Sequence, residues 1–133
     1  MVDGMEESII IWDDDAHMII MDKYPINIGH VLVIPKEHHK YLMEMQDDDV
    51  GKLFQCVSFI SKVLAKTFKS DGISIGQSNG EAASQQILHV HVHVIPRFNG
   101  DAGDDYWPKR KSMNEYELDK IYLRIRDTIK SLD

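Results

Sequence analysis

The sequence predicts an α+β domain: a five-stranded antiparallel sheet, one long helix inserted between strands, and a second helix at the end of the chain. Three observations lead there. Runs rich in β-branched residues follow one another across short turns, so neighbouring strands pair antiparallel. One segment, from Val50 to Phe68, carries its apolar residues at helical spacing instead. A last stretch, 114–132, is again amphipathic with the helical period. Several short-looped strands with one long helix among them give this class rather than a doubly wound sheet. At 133 residues and 15.3 kDa the chain reads as a single domain, 1–133. That length can bury a core without staples.

The elements follow in order. "SIIIW", 8–12, reads as a strand, "DDD" at 13–15 as a turn, and "HMIIMD", 17–22, as the returning strand of a hairpin. "KYPINIG", 23–29, is a loop by its Pro and Gly. "HVLVIP", 30–35, is a third strand that Pro35 stops. Asp47, Asp48 and Asp49 are expected to cap the long helix and place negative charge in its first turn. Val50, Leu53, Phe54, Val57, Ile60, Leu64 and Phe68 form its apolar stripe, Lys66 and Lys69 sit near its end, and Gly72 is expected to terminate it. "ISIGQS", 73–78, is the fourth strand and "NGEAASQ", 79–85, a loop of small residues. The fifth strand holds His89, His91 and His93, and "NEYELDKIYLRIRDTIKSL", 114–132, is the final helix.

Composition narrows the function classes. Charged residues at 28% and hydrophobic residues at 43% are ordinary for a globular domain. A net charge of −7 argues against a general nucleic-acid coat, because phosphate backbones demand a basic surface. The lone cysteine, Cys56, allows no internal disulfide and no CxxC zinc pair, and its place in the helical stripe makes it a core residue. No apolar run approaches the length of a membrane span and no leader pattern opens the chain, so a cytoplasmic protein without membrane partners is expected.

The histidine strand needs its own explanation. In a strand, alternate side chains point to opposite faces, so Val90, Val92 and Val94 share one face and the three histidines the other. Ring attachment points two residues apart lie roughly 6.5–7 Å from each other, so three imidazoles line a site about as long as a diphosphate. A solvated face is one reading, but Ser or Thr would serve it better. A zinc site is a second, although such a site wants at least three protein ligands. Nucleophilic imidazole catalysis is the third. A neutral imidazole is a competent nucleophile near neutral pH, and a covalent intermediate divides one hard displacement into two easier ones.

"HVHVHVI" resembles the histidine triad motif of the HIT superfamily of nucleotide hydrolases and transferases. "MDKYPINIGHVLVIPKEH", 21–38, resembles that family's acidic residue, proline loop and Gly-His-Φ-Leu-Val-Ile-Pro-Lys-x-His segment. "SNGEAASQQILHVHVHVIPR" resembles its Asn-Gly-x-x-Ala-Gly-Gln loop feeding the triad. Three blocks in the right order carry far more weight than an isolated HxHxH.

The resemblance implies a HIT-like fold paired sheet edge to sheet edge in a homodimer, and His91 as the nucleophile with His89 and His93 flanking it. His30 would support the triad from a neighbouring strand. Asp22 would hold the nucleotide ribose, Asn79, Ser84, Gln85 and Gln86 would wrap the α-phosphate, and Ile20 and Leu32 would belong to the base pocket. His93, the amides of 84–86 and the Gln side chains can supply donors to developing charge. Two departures stand out: Ser84 replaces the family's usual Gly, and the N-terminal cysteines that many members use for zinc are absent. Of that metal set only His38 and His89 remain, so no metal ligands are assigned and no tightly bound cofactor is expected. Magnesium would enter only with a polyphosphate substrate.

The expected function is hydrolysis at the α-phosphate of a nucleoside monophosphate conjugate, either a phosphoramidate or a dinucleoside polyphosphate, through a His91–nucleotide intermediate. A nucleotide-binding sensor or scaffold without turnover is the alternative. "RFNGDAGDDYWPKRK", 97–111, places Phe98, Tyr106 and Trp107 beside several cations. Aromatic faces next to Lys109, Arg110 and Lys111 suit a leaving group with a base and a phosphate chain, with Trp107 as its contact. His17 and His39 are read as solvated.

Overall fold

A computed structural model describes residues 8–132. Five strands, β1 (Ile10–Asp13), β2 (His17–Met21), β3 (Val31–Pro35), β4 (Gly72–Gly76) and β5 (Val92–Arg97), form one antiparallel sheet in the order β1-β2-β3-β5-β4. Helix α1 (Asp47–Phe68) lies between β3 and β4, and α2 (Glu115–Lys130) follows β5. The α+β class and the element order agree with the sequence reading.

Register explains how the sheet separates a core face from a working face. Ile19 pairs with Val33 and Met21 with Val31, while Val31 and Val33 pair with Val94 and Val92. All six are buried in one cluster with Leu53, Ile60 and Leu64 of α1 and Ile121 and Ile125 of α2. The intervening residues face the other way: Ile20 pairs with Leu32, and Leu32 with His93. Met18, Ile20, Leu32 and Ile34 make a second small apolar cluster there, capped by Ile87. Both faces of β2 and β3 are therefore buried, which is why their sequences run continuously apolar instead of alternating.

Four local expectations are corrected. The N-cap of α1 is Gln46, with no side-chain cap bond; the three aspartates occupy its first turn and act through the helix dipole alone. The helix ends on Lys69, which takes the left-handed cap conformation at φ 50°, while Gly72 already belongs to β4. Phe54 is exposed, because the buried stripe runs Leu53, Cys56, Val57, Ile60, Val63, Leu64 and Phe68. The fifth strand begins only at Val92, so His89 and His91 precede the ladder. One glycine is needed for space as well as for conformation: Gly29 has φ +83°, and an added Cβ would fall 2.4 Å from Cε2 of Phe68.

Candidate active site

The chain just before β5 turns, and that turn orients the nucleophile expected from the sequence. His91 Nδ1 lies 2.8 Å from the carbonyl oxygen of His89. A carbonyl can only accept, so Nδ1 carries a proton and, in the neutral ring, Nε2 keeps its lone pair. His91 and His93 both line a cavity of about 690 Å³ on the working face.

His93 is oriented by a relay whose tautomers follow from the same logic. The Ile26 amide donates to His30 Nδ1 at 3.0 Å, so a neutral His30 holds its proton on Nε2. That Nε2 lies 2.9 Å from His93 Nδ1. His93 Nδ1 thus accepts, and its own proton sits on Nε2. Both rings are held neutral. Burial pushes His30 down to about 3, with the nearby His93 and Arg110 lowering it further and Asp22 opposing. Burial and the neighbouring His91 push His93 down to about 4. His30 is 1% exposed and sits at the mouth of β3, where the Asp22 amide donates to its carbonyl.

Asp22 leaves the end of β2 and meets this relay. Its Oδ1 accepts from the Tyr24 amide at 2.9 Å, and its Oδ2 accepts from Arg110 at 3.0 Å and lies 3.6 Å from His30 Nε2. Arg110 also donates to the Tyr24 carbonyl at 2.6 Å, and Lys111 donates to the Ile26 carbonyl at 2.6 Å. The segment after β5 is thereby strapped across the proline loop and adds Arg110 to the cavity wall.

The sequence-predicted residues divide into two groups. Ile20, Leu32, Asp22, Ser84, Gln86, His91 and His93 line the cavity. His30, His89, Asn79, Gln85 and Trp107 do not. His89 is 3% exposed and its Nε2 donates to the Pro35 carbonyl at 2.7 Å, which anchors the turn under His91. Gln85 accepts from the Gly80 amide at 2.6 Å and donates to the carbonyls of Lys40 and Ile87, so its side chain ties the loop together. Asn79 Oδ1 accepts from the Leu42 amide at 2.7 Å and the side chain exchanges bonds with Gln77. Trp107 lies under the Arg97 guanidinium, 5.1 Å from its ring centroid, and Arg97 is held by both oxygens of Asp101. Ser84 takes φ +69°, the left-handed conformation a glycine would adopt freely.

Tyr24 and Ile87 are cavity residues that the sequence did not single out, while Arg110, read from the sequence as a cation for the leaving group, lines the same cavity as His91. No local signal could have paired Arg110 with Asp22, 88 residues away. For metal binding, Asp22, His30 and His93 offer ligand atoms within 4.8 Å of one another. Both His30 nitrogens and His93 Nδ1 are already spent on the relay, so the arrangement suits hydrogen bonding better than a cation. His38 Nδ1 donates to His89 Nδ1 at 3.0 Å, since Nε2 of His89 holds that ring's proton. Among the described residues that pair joins no group of three metal-ligating side chains.

The cavity thus has an apolar wall (Ile20, Leu32 and Ile87) and a polar end with one unprotonated imidazole nitrogen, one imidazole N–H, a carboxylate and a guanidinium. An electrophile carrying anionic oxygens fits the polar end, and a flat apolar group fits the wall.

Comparison with known proteins identifies the family and the fold. A family model described as "HIT domain" matches residues 4–100. An uncharacterized HIT-like protein of Saccharolobus solfataricus is 31% identical over 134 residues, covering 99% of this chain and 96% of the relative. An adenylylsulfatase of Arabidopsis thaliana is 35% identical over 101 residues, 76% of this chain and 51% of the relative. An asymmetrical bis(5'-nucleosyl)-tetraphosphatase of Schizosaccharomyces pombe is 36% identical over 100 residues, 74% of this chain and 55% of the relative. The chain spans about half the length of these two enzymes. Among solved structures, a hypothetical histidine triad nucleotide-binding protein of Sulfolobus tokodaii superposes with a TM-score of 0.84 at 32% identity, covering 95% of this chain and 86% of the other. With its motif, its fold and a family match over most of its length in accord, the chain belongs to the HIT domain family.

Proposed function

We propose that the protein is a hydrolase of nucleoside monophosphate conjugates that acts through a nucleotidyl-histidine at His91. The observation that carries this is the His91 ring: its Nδ1 is committed to the His89 carbonyl, which leaves Nε2 of a cavity-lining ring as the nitrogen that can attack. In the first step Nε2 attacks the α-phosphorus. A P–N bond forms, the bond to the leaving group breaks, and the electron pair departs with that group. His93 Nε2–H, whose position follows from the His30 relay, donates to a phosphate oxygen or the leaving atom as charge develops. In the second step water attacks phosphorus, the P–N bond breaks, and the monophosphate leaves. Ile20 and Leu32 offer the base an apolar wall, and Asp22 offers the ribose a carboxylate.

The named relatives act on different leaving groups, as their names state: an adenylylsulfatase and a tetraphosphatase. The reading adopted for this chain is the chemistry that would unite them, cleavage at the α-phosphate. A homodimer joined at the sheet edge belongs to the same reading. It is supported by the outer position of β4, where Ile75 is 51% exposed. Among the described residues no helix is long and apolar enough to cross a membrane.

The test combines a substrate panel with one variant. Adenosine phosphoramidate, adenylyl sulfate, and diadenosine tri- and tetraphosphate are incubated with the protein and AMP is measured. His91→Ala should lose at least three orders of magnitude in rate while still binding AMP, because only the nucleophile is removed. A variant that keeps a tenth of the wild-type rate overturns the covalent mechanism. Nucleotide binding with no turnover on any member of the panel would favour a sensor.

A further inference from the structure

We propose that Asp14, His17 and Cys56 form a second, separate site that binds a divalent transition ion of the zinc class and ties the β1–β2 turn to helix α1. The three residues come from two elements that meet on the core face: Asp14 and His17 flank the turn, and Cys56 projects from the buried stripe of α1. Their ligand atoms lie within 4.8 Å of one another. Around a tetrahedral zinc, ligand atoms stand about 3.5 Å apart, so side-chain rotations of roughly an ångström close the set.

The observation that asks for a ligand is His17. Its side chain is 9% exposed, yet Nδ1 is buried without a hydrogen-bond partner. Asp14 Oδ1 is 3.4 Å away, too poorly placed to satisfy it. Its solvated reading from the sequence is therefore corrected: a buried, unpaired ring nitrogen costs free energy unless something binds it. Asp14 is itself pinned, since Oδ1 accepts from the Ala16 and His17 amides at 2.8 and 2.7 Å. Outer hydrogen bonds of that kind hold a ligating carboxylate in place. The donor set of thiolate, imidazole and carboxylate suits zinc or cobalt rather than calcium or magnesium. Burial pushes the Cys56 thiol up to about 11, and the Asp14 charge adds to this, so ion binding releases the thiol proton. The cluster opens into a surface cavity of about 530 Å³ that Asp15 and Lys52 also face. Three protein ligands therefore leave a fourth position for water or for Asp15.

This site uses none of the triad residues, so it stands or falls apart from the proposed hydrolase. The full chain is stripped with a chelator and titrated with Co²⁺, and Zn²⁺ affinity is measured by competition with a chromophoric chelator. One equivalent of Co²⁺ should give a thiolate-to-cobalt charge-transfer band that Cys56→Ser abolishes. Asp14→Asn, on an exposed turn whose amide bonds asparagine can keep, should weaken Zn²⁺ at least tenfold, whereas His38→Asn should leave it unchanged. No thiolate band at stoichiometric cobalt, or unchanged zinc affinity in Asp14→Asn, overturns the site.

Discussion

Lowering the pH from 7.5 to 5.0 should remove about 4 kcal/mol of folding stability through two rings alone. His30 is buried and neutral with its value pushed to about 3, and His93 to about 4. In the unfolded chain both return to about 6.5. Below 6.5 the unfolded state therefore takes up protons that the folded state refuses, and stability falls as pH falls. At pH 5.0 each unfolded ring is almost fully charged while the folded rings are at most about a tenth charged. The integrated loss is then about 2 kcal/mol per ring. This figure hardly depends on how far below 5 the folded values lie. It is a large share of the 5–15 kcal/mol of an ordinary domain. Buried His89, also shifted down by burial, adds to the same trend. Asp14 and Asp101 are held below their ordinary range, so their contributions are still intact at pH 5.0 and lost only at lower pH. Urea unfolding followed by tryptophan fluorescence at both pH values and constant ionic strength measures the difference. His93→Gln should cut the wild-type loss by about half whatever its own stability. A wild-type change under about 1 kcal/mol, or an unaltered slope in His93→Gln, would refute the neutral-relay assignment.

Three further outcomes are expected. Asp22→Ala should weaken AMP binding by about 1.5–3 kcal/mol, the scale for hydrogen bonds to a charged group, and calorimetry with AMP and 2′-deoxy-AMP should show the wild type preferring the ribonucleotide. Equal affinities would remove Asp22 from ribose recognition. Ser84→Gly should raise stability or leave it level, because the left-handed backbone at φ +69° costs a non-glycine residue about 1 kcal/mol, offset by glycine's greater freedom when unfolded; a clear drop in the denaturation midpoint would contradict this. Gly29→Ala should destabilise by about 2–5 kcal/mol, combining backbone strain at φ +83° with a Cβ driven into the Phe68 ring, and a thermal melt within two degrees of wild type would show that Phe68 yields freely.

Much of the molecule was legible in its sequence because the deciding forces there are local. Period-two and period-3.6 patterns located the strands and helices, and the spacing of the three histidines, with Gly-His-Val-Leu-Val-Ile-Pro beside them, pointed to a site on one face of the sheet. Helix boundaries were less legible. Gln46 and Lys69 are not the residues that composition favours for caps, and the Phe68 ring in the last turn of α1 lies where only a glycine at 29 leaves room. What only the tertiary structure decided was the assignment of similar residues to different work. His89, His91 and His93 are equivalent in pattern, yet one donates to Pro35, one presents a free nitrogen to the cavity and one takes its tautomer from His30. Gln85 and Gln86 are neighbours, yet one braces the loop and the other lines the cavity. Arg110 reaches Asp22, and Cys56 reaches Asp14 and His17, across separations that no periodicity records. A hydrogen bond is made or missed within a few tenths of an ångström, and that precision comes from the packed sheet and helices, after the pattern of the chain has chosen the fold.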